Sequence, residues 1–338
     1  MNCCLYLFFV VLVSYLLTGI LRRYALSRSL LDVPNSRSSH TVVTPRGGGV
    51  AIVVTLLLAL PLAIPTGQIS ADLGLSLLVA GGLVAIVGFL DDHGHIAARW
   101  RLLAHFASAL LALLCLGGLE AIAVGPFILE PALLRNVLAL LFLAWMVNLY
   151  NFMDGIDGLA SVEAITSACC MCLLFFLSGH TELIAAPLLL ALSVLGFLIW
   201  NFPPARIFMG DAGSGFLGLA VGVLAVHSSW SNPSFFWAWC IMLGVFIVDA
   251  TYTLIRRLLG GAKVYEAHRS HAYQFAARKF GAHLPVTLAV CLINLLWLLP
   301  IAAAVVLLGL DGLLGAVVAY VPLVFLAVLF QAGTKERG

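Results

Sequence analysis

Long runs of apolar residues, each ended by a short polar cluster, set the rhythm of this chain. A helix needs roughly 20 mainly apolar residues to cross a hydrocarbon core. About eleven runs fit that length, near 3–21, 47–66, 72–90, 101–119, 131–149, 159–178, 183–200, 213–230, 235–255, 285–307 and 312–330. The pattern predicts an all-α, polytopic integral membrane protein in which residues 1–338 form a single membrane-embedded domain. The first run is too long for the apolar core of a secretory signal and has no charged segment before it, so it reads as a retained helix.

Composition strengthens this reading. Hydrophobic residues make up 63% of the chain, against about half in soluble globular proteins. Orientation follows from the cations. With the N-terminus outside, every Lys and Arg except Arg135 falls in a cytoplasmic gap or the C-terminus, from Arg22, Arg23, Arg28 and Arg37 through Arg99, Arg101 and Lys263 to Lys335 and Arg337. The positive-inside rule therefore predicts an outside N-terminus and a cytoplasmic C-terminus. Asp72, Glu120, Glu130, Glu182 and Asp311 fall outside, so the net charge of +2 conceals a strong polarity. The eight cysteines all lie within apolar runs and imply neither a disulfide framework nor a soft-metal site.

Only 9% of residues are charged, so each cluster calls for a reason. The densest is Asn148-Leu149-Tyr150-Asn151-Phe152-Met153-Asp154-Gly155-Ile156-Asp157-Gly158, two amides and two carboxylates at the end of an apolar helix. Asp91-Asp92-His93-Gly94-His95 places adjacent acids where another helix leaves the bilayer, a costly arrangement unless a cation or proton compensates it. Met209-Gly210-Asp211-Ala212-Gly213-Ser214 sets an acid before a Gly-rich helix start, suited to metal and phosphate together. None is an EF-hand, because the ligand alternation and terminal Glu are absent. Three acidic loops at helix ends, all on the predicted cytoplasmic side, suggest one oxygen-ligand metal site facing water.

Two basic loops flank them. Loop one runs from Asp32 through Asn35-Ser36-Arg37-Ser38-Ser39-His40 to Thr44-Pro45-Arg46-Gly47-Gly48-Gly49. It reads either as a basic inner loop or as a phosphate-facing surface, with the glycine amides open to an anion. The longest loop, from Arg256-Arg257 to His268-Arg269-Ser270-His271 and Lys279, suits either anionic lipid headgroups or a bound phosphate. Asp249, near the inner end of its helix, reads either as a helix–helix contact or as part of the site.

Together these motifs resemble the polyprenyl-phosphate N-acetylhexosamine-1-phosphate transferase family, which includes the muramoyl-pentapeptide translocase of peptidoglycan synthesis. The resemblance rests on Asp91-Asp92, the Asn148–Gly158 run, Asn201 through Ser214, and Arg269-Ser270-His271. Eleven helices with an outside N-terminus look like the glycan-initiating branch, as in O-antigen synthesis. The chain departs from the family at His95, where a third acid is common, and at Tyr273 and Gln274, which replace further loop histidines.

The resemblance implies transfer of an N-acetylamino-sugar 1-phosphate from a UDP-sugar to undecaprenyl phosphate, with release of UMP. Mg²⁺ is the implied cofactor, with Mn²⁺ able to substitute. Asp211 is the implied metal ligand, together with Asp91 and Asp92. Asp91, Asp92, Asp154, Asp157 and His271 are the implied catalytic residues, one of the adjacent pair helping to deprotonate the lipid phosphate. Asn148 and Asn151 would hold the nucleotide sugar, Phe208 would stack on uracil with Asn201 beside it, and Arg46, Arg206, His268 and Arg269 complete the substrate-binding set. The implied setting is the bacterial inner membrane with the site facing the cytoplasm, as a monomer or homodimer, and without nucleic acid. The alternative is a cation- or proton-coupled transporter, which predicts mid-helix acids and broken helices from an inverted repeat.

Overall fold

The computed structural model describes residues 3–34, 40–94, 96–262 and 268–334. Asn35 to Ser39 of loop one, His95, Lys263, Lys335, Arg337 and the side chains of Cys3 and Cys4 lie outside the described residues. Every apolar run becomes helix. In chain order these are α1 (Cys3–Ser27), α2 (Val50–Ala63), α3 (Ala71–His93), α4 (Ala98–Leu116), α5 (Ala132–Met153), α6 (Leu159–Leu177), α7 (Ala185–Asn201) and α8 (Asp211–Ser229). There follow α9 (Ser234–Met242), α10 (Gly244–Leu259), the short α11 (Ala272–Phe280), α12 (Leu284–Leu308) and α13 (Gly312–Leu329).

Among the described residues nine helices are long and apolar enough to cross a membrane, and α9 with α10, bent by 70°, makes a tenth path. The remaining run, 47–66, became α2, whose 14 residues rise only about 21 Å at 1.5 Å each, short of a core of about 30 Å. Two small antiparallel ribbons complete the fold: Leu31–Asp32 with Thr44–Pro45, and Ile122–Val124 with Phe127–Leu129. Cys115, Cys169, Cys170, Cys172, Cys240 and Cys291 are free thiols.

Helix α8 is the axis of the bundle, with 94% of its apolar window buried. Helices in lipid associate through close packing, which small residues permit. Gly218 on α8 lies so near α5 that a Cβ there would strike the Met146 carbonyl, and Gly88 on α3 likewise faces the backbone of Ala212. Both neighbours can therefore crowd the first half of α8, the half that begins with Asp211.

Hydrogen bonds sort the helix ends into two faces. On one, Arg46 Nη2 donates to the Asp92 carbonyl (2.6 Å), Asn151 to Asp211 (2.8 Å), Ala205 N to Asp157 (2.9 Å) and Tyr273 Oη to the Phe152 carbonyl (2.9 Å). On the other, Ser70 meets His227 (3.1 Å), and Trp230 and Trp237 donate to the carbonyls of Gly118 and Ala123. All the acidic motifs occupy the first face. One carboxyl group stands apart: Glu163 on α6, fully buried, accepts from Asn294 Nδ2 at 2.7 Å where α12 makes a π-helical turn. The same amide reaches Thr166 Oγ1 at 2.7 Å, tying α12 to α6 below the polar face.

Candidate active site

Asp211 opens α8, and the structure surrounds it with groups drawn from α3, α4 and α5. One of its carboxylate oxygens accepts from Asn151 Nδ2 (2.8 Å), which also reaches Ser214 Oγ (3.2 Å). The other lies 3.3 Å from Arg101 Nη1. That same nitrogen is 2.6 Å from Asp91 Oδ2, while Asp91 Oδ1 accepts the amide of Ile96 at 2.7 Å. Asp91 and Asp211 thus present one oxygen each to a shared positive charge. Asn151 supplies the amide that fixes Asp211, as the sequence suggests. Asn148 does not reach the acids: its Nδ2 donates one turn back to the Ala144 carbonyl at 2.7 Å.

The Asp91-Asp92 pair divides its work. Asp92 is 4% exposed, and its two oxygens accept the backbone amides of Asp211 (3.1 Å) and Ala212 (3.3 Å). It therefore satisfies the first-turn amides that a helix leaves without partners, from a different helix. Asp92 thus holds the end of α8 in place, while Asp91 turns toward Arg101 and Asp211. Asp249 has a parallel task. It accepts the amides of Ala272 (2.9 Å) and Tyr273 (3.0 Å) at the start of α11, and lies 3.3 Å from His271 Nδ1. Of the two readings open for Asp249, the helix–helix contact is the one realised. His271 is 3% exposed and turned toward Asp249, at the residue that precedes α11.

Asp154 and Asp157 diverge, although both belong to the same run. Asp154 ends α5, where burial, and then the negative charges of Asp211, Asp92 and Asp157, hold its carboxyl well above the usual carboxylate range. Asp157 is instead bound to Ala205 N (2.9 Å) and lies 3.1 Å from His283 Nδ1. It lines a cavity of about 570 Å³ with Phe208, His40, Arg278 and His283. Phe208 is half-buried there, with the His40 ring edge-on at 4.8 Å. Asn201 does not join it. That side chain is 3% exposed, accepting from Gly158 N and donating to the Ile207 carbonyl, both at 3.0 Å, so it braces the loop carrying Phe208.

The basic groups are differently disposed from the sequence expectation. The amides of Gly48 and Gly49 are not open to an anion, because they donate to the carbonyls of Phe208 (2.9 Å) and Met209 (2.8 Å). Arg46 donates to the Asp92 carbonyl. Arg206 is exposed at the loop surface, and the Arg269 carbonyl accepts from Arg278. His268 stacks on His271 with ring centres 5.0 Å apart and shares a hydrogen bond with Ser270 Oγ at 3.0 Å. Burial, then the neighbouring His271 and Arg257, push its pKa down to about 3, so it meets a ligand as a neutral imidazole.

Sequence reasoning missed Arg101, which it used only for orientation. Its signal is a pair of arginines, Arg99 and Arg101, in the first turn of an apolar helix, where the helix dipole disfavours cations. Among the described residues no three His, Cys, Asp or Glu side chains stand close enough to hold a metal by themselves. Magnesium does not require them, since it binds through one or two carboxylates plus substrate phosphates and water. The convergent oxygens of Asp91 and Asp211 fit that demand.

Known proteins are similar to this chain in sequence. Residues 74–229 match the model of glycosyl transferase family 4, a span running from Gly74 on α3 to the end of α8 and enclosing every acid of the cluster. The chain is 27% identical to the Bacillus subtilis protein named "Probable undecaprenyl-phosphate N-acetylglucosaminyl 1-phosphate transferase", over 94% of this chain and 88% of that one. It is 28% identical to a Thermotoga maritima undecaprenyl-phosphate alpha-N-acetylglucosaminyl 1-phosphate transferase, over 80% of each chain. It is 27% identical to a Streptococcus pneumoniae phospho-N-acetylmuramoyl-pentapeptide-transferase, over 68% of this chain and 72% of the other. The acid cluster, the helical bundle and the relatives are together consistent with the polyprenyl-phosphate N-acetylhexosamine-1-phosphate transferase family.

Proposed function

We propose that the protein transfers an N-acetylamino-sugar 1-phosphate from a UDP-sugar to undecaprenyl phosphate, releasing UMP and starting a lipid-linked glycan such as O-antigen. One observation carries this reading: a single polar face joins the Asp91–Arg101–Asp211 cluster to a water-facing cavity and, through a row of rings, to an apolar groove. The groove, about 510 Å³, is lined by Phe142 and Trp145 of α5, Cys240 of α9, Ile247 of α10 and Val317 of α13. Trp145 meets Phe152 at 6.2 Å, and Phe152 meets His268 and His271 at 6.4 and 6.2 Å. A polyprenyl chain suits the groove, with its phosphate directed along the rings toward the acids. The cavity beside Phe208 suits the nucleotide.

In the reaction an oxygen of the lipid phosphate forms a bond to the β-phosphorus of the UDP-sugar, and the bond from that phosphorus to the UMP oxygen breaks. Such transfers depend mainly on alignment and charge stabilisation. Asp211 and Asp91 would hold the divalent cation, which when bound neutralises charge on the diphosphate. Asn151 orients Asp211, Asp92 fixes the start of α8, and Asp157 sets the wall of the nucleotide cavity through Ala205. A lipid phosphate already carries a nucleophilic oxygen near neutral pH, so no base is required of the chain. The arginine distribution supports a site facing the cytoplasm of a bacterial inner membrane.

The position of the motif acids at helix ends on one face favours the transferase over the transporter reading. The deciding experiment incubates purified protein with undecaprenyl phosphate, Mg²⁺ and a panel of UDP-N-acetylamino sugars, and measures UMP. Release of UMP that depends on both substrates is expected. No UMP from any of the sugars, or uptake into proteoliposomes without UMP, would overturn the proposal.

A further inference from the structure

Asp91 and Asp211 are built alike. Each has one oxygen anchored to the scaffold, Asp91 Oδ1 by the amide of Ile96 and Asp211 Oδ1 by Asn151, and each turns its remaining oxygen to Arg101 Nη1. The two Oδ2 atoms are therefore the exchangeable pair, and the guanidinium between them stands at the place to which a cation is drawn. Asp91 is nearly closed off, its side chain 6% exposed, whereas Arg101 and Asp211 are about one-third exposed, at 32% and 33%. The arginine is on the open side of the cluster. Arg46 donates to the Asp92 carbonyl.

We infer that Arg101 is the resident counter-ion of the cluster, and that it yields the Oδ2 atoms of Asp91 and Asp211 to the divalent cation and turns to the phosphates of the substrate. Arg101 sits in the first turn of α4, where the helix dipole repels a cation; the two acids hold it there. Once a dication takes those acids, the guanidinium loses its anions and faces two like charges. A diphosphate is the group that relieves it, and a planar guanidinium is well matched to phosphate oxygens. The arginine thus opposes the cation while the site is empty of substrate, and assists the reaction when substrate is present.

This inference rests on the reading of Asp211 and Asp91 as the metal-holding pair. It predicts effects of opposite sign, which damage to the fold would not produce. Binding of Mn²⁺ alone, without nucleotide or lipid, is measured by isothermal titration on the full-length protein in detergent for wild type, Arg101→Met, Arg101→Gln and Asp211→Asn. Removing a unit charge so close to the ligand oxygens should tighten Mn²⁺ binding on the order of tenfold or more in both neutral variants, while their turnover falls at least as far. The Gln variant keeps hydrogen bonding to the acids and covers the case in which Met fails to fold. Asp211→Asn should lose Mn²⁺ binding. If the neutral variants bind Mn²⁺ no tighter than wild type while Asp211→Asn loses it, the counter-ion role is wrong and the metal reading stands. If Asp211→Asn binds as wild type does, the metal reading fails and the inference fails with it.

Discussion

Asp92 and Asp211 meet through a carboxylate and a backbone amide: Asp92 Oδ1 accepts from Asp211 N at 3.1 Å, so one acid holds up the helix on which the other is mounted. Their variants should separate accordingly. Asp92→Asn leaves one carbonyl oxygen where two oxygens served two amides, and loss of a helix cap costs about 1 kcal/mol, more when buried. It should lower Tm and slow turnover while still binding Mn²⁺. Asp211→Asn should melt close to wild type yet lose activity by orders of magnitude, as transition-state charge goes unneutralised. Thermal melts paired with Mn²⁺ titrations check this. The reverse pattern would move the metal to Asp92.

Phe208 offers a ring face to the cavity that Asp157 lines. Stacking on a base is worth about 1–3 kcal/mol, so Phe208→Ala should raise KM for the UDP-sugar on the order of tenfold or more and leave KM for lipid phosphate unchanged. Steady-state kinetics with each substrate varied in turn decides it. An unchanged nucleotide KM would remove Phe208 from the site.

His268 makes a prediction about pH. Its pKa is depressed to about 3 in the folded chain against about 6.5 unfolded. The unfolded state then takes up a proton that the folded state refuses. The contribution is neutral to stability above about pH 6.5 and becomes destabilising as pH falls toward 3. Tm of wild type should therefore drop between pH 7 and 5 more than that of His268→Gln. The same neutrality means that Gln, a neutral hydrogen-bonding side chain, should preserve KM for lipid phosphate better than Ala. Equal pH slopes for wild type and the Gln variant would refute the assignment.

Glu163 and Asn294 are both fully buried, and after their mutual bond Glu163 Oε1 and Asn294 Oδ1 have no partner. Glu163→Gln supplies an acceptor for the Asn294 amide and a donor for its carbonyl, so Tm should hold or rise. Asn294→Leu strands a buried carboxyl group without its hydrogen-bond donor and should cost about 1–3 kcal/mol, read as a fall in Tm. A destabilised Gln variant beside a normal Leu variant would overturn this account of the pair.

The apolar runs were legible because hydrophobic length alone marks a membrane helix, and the run to Asp157 because its acids have no other use in an apolar chain. The shortness of α2 escaped that logic, since its flanking glycines are apolar by count but spend their amides on Phe208 and Met209. Division of labour within the motifs was hidden for a different reason. Whether Asp92 caps or binds depends on a partner 119 residues away, and adjacent acids look alike until that partner is placed. Arg101 escaped because its two acids come from different helices, and its place in a helix's first turn does not by itself distinguish it from the adjacent Arg99.

The span between Asp92 and Asp211 also bears on how the chain is made. As the membrane helices emerge in order, Asp91 finds Arg101 within ten residues, and that half of the cluster can form early. Asp92 has no such neighbour. It waits through four further helices, an acid at the end of a membrane span, until α8 arrives with the amides it serves. A nascent chain that stops short of residue 211 therefore carries an unsatisfied carboxylate at the membrane surface, a local mark by which incomplete molecules differ from finished ones.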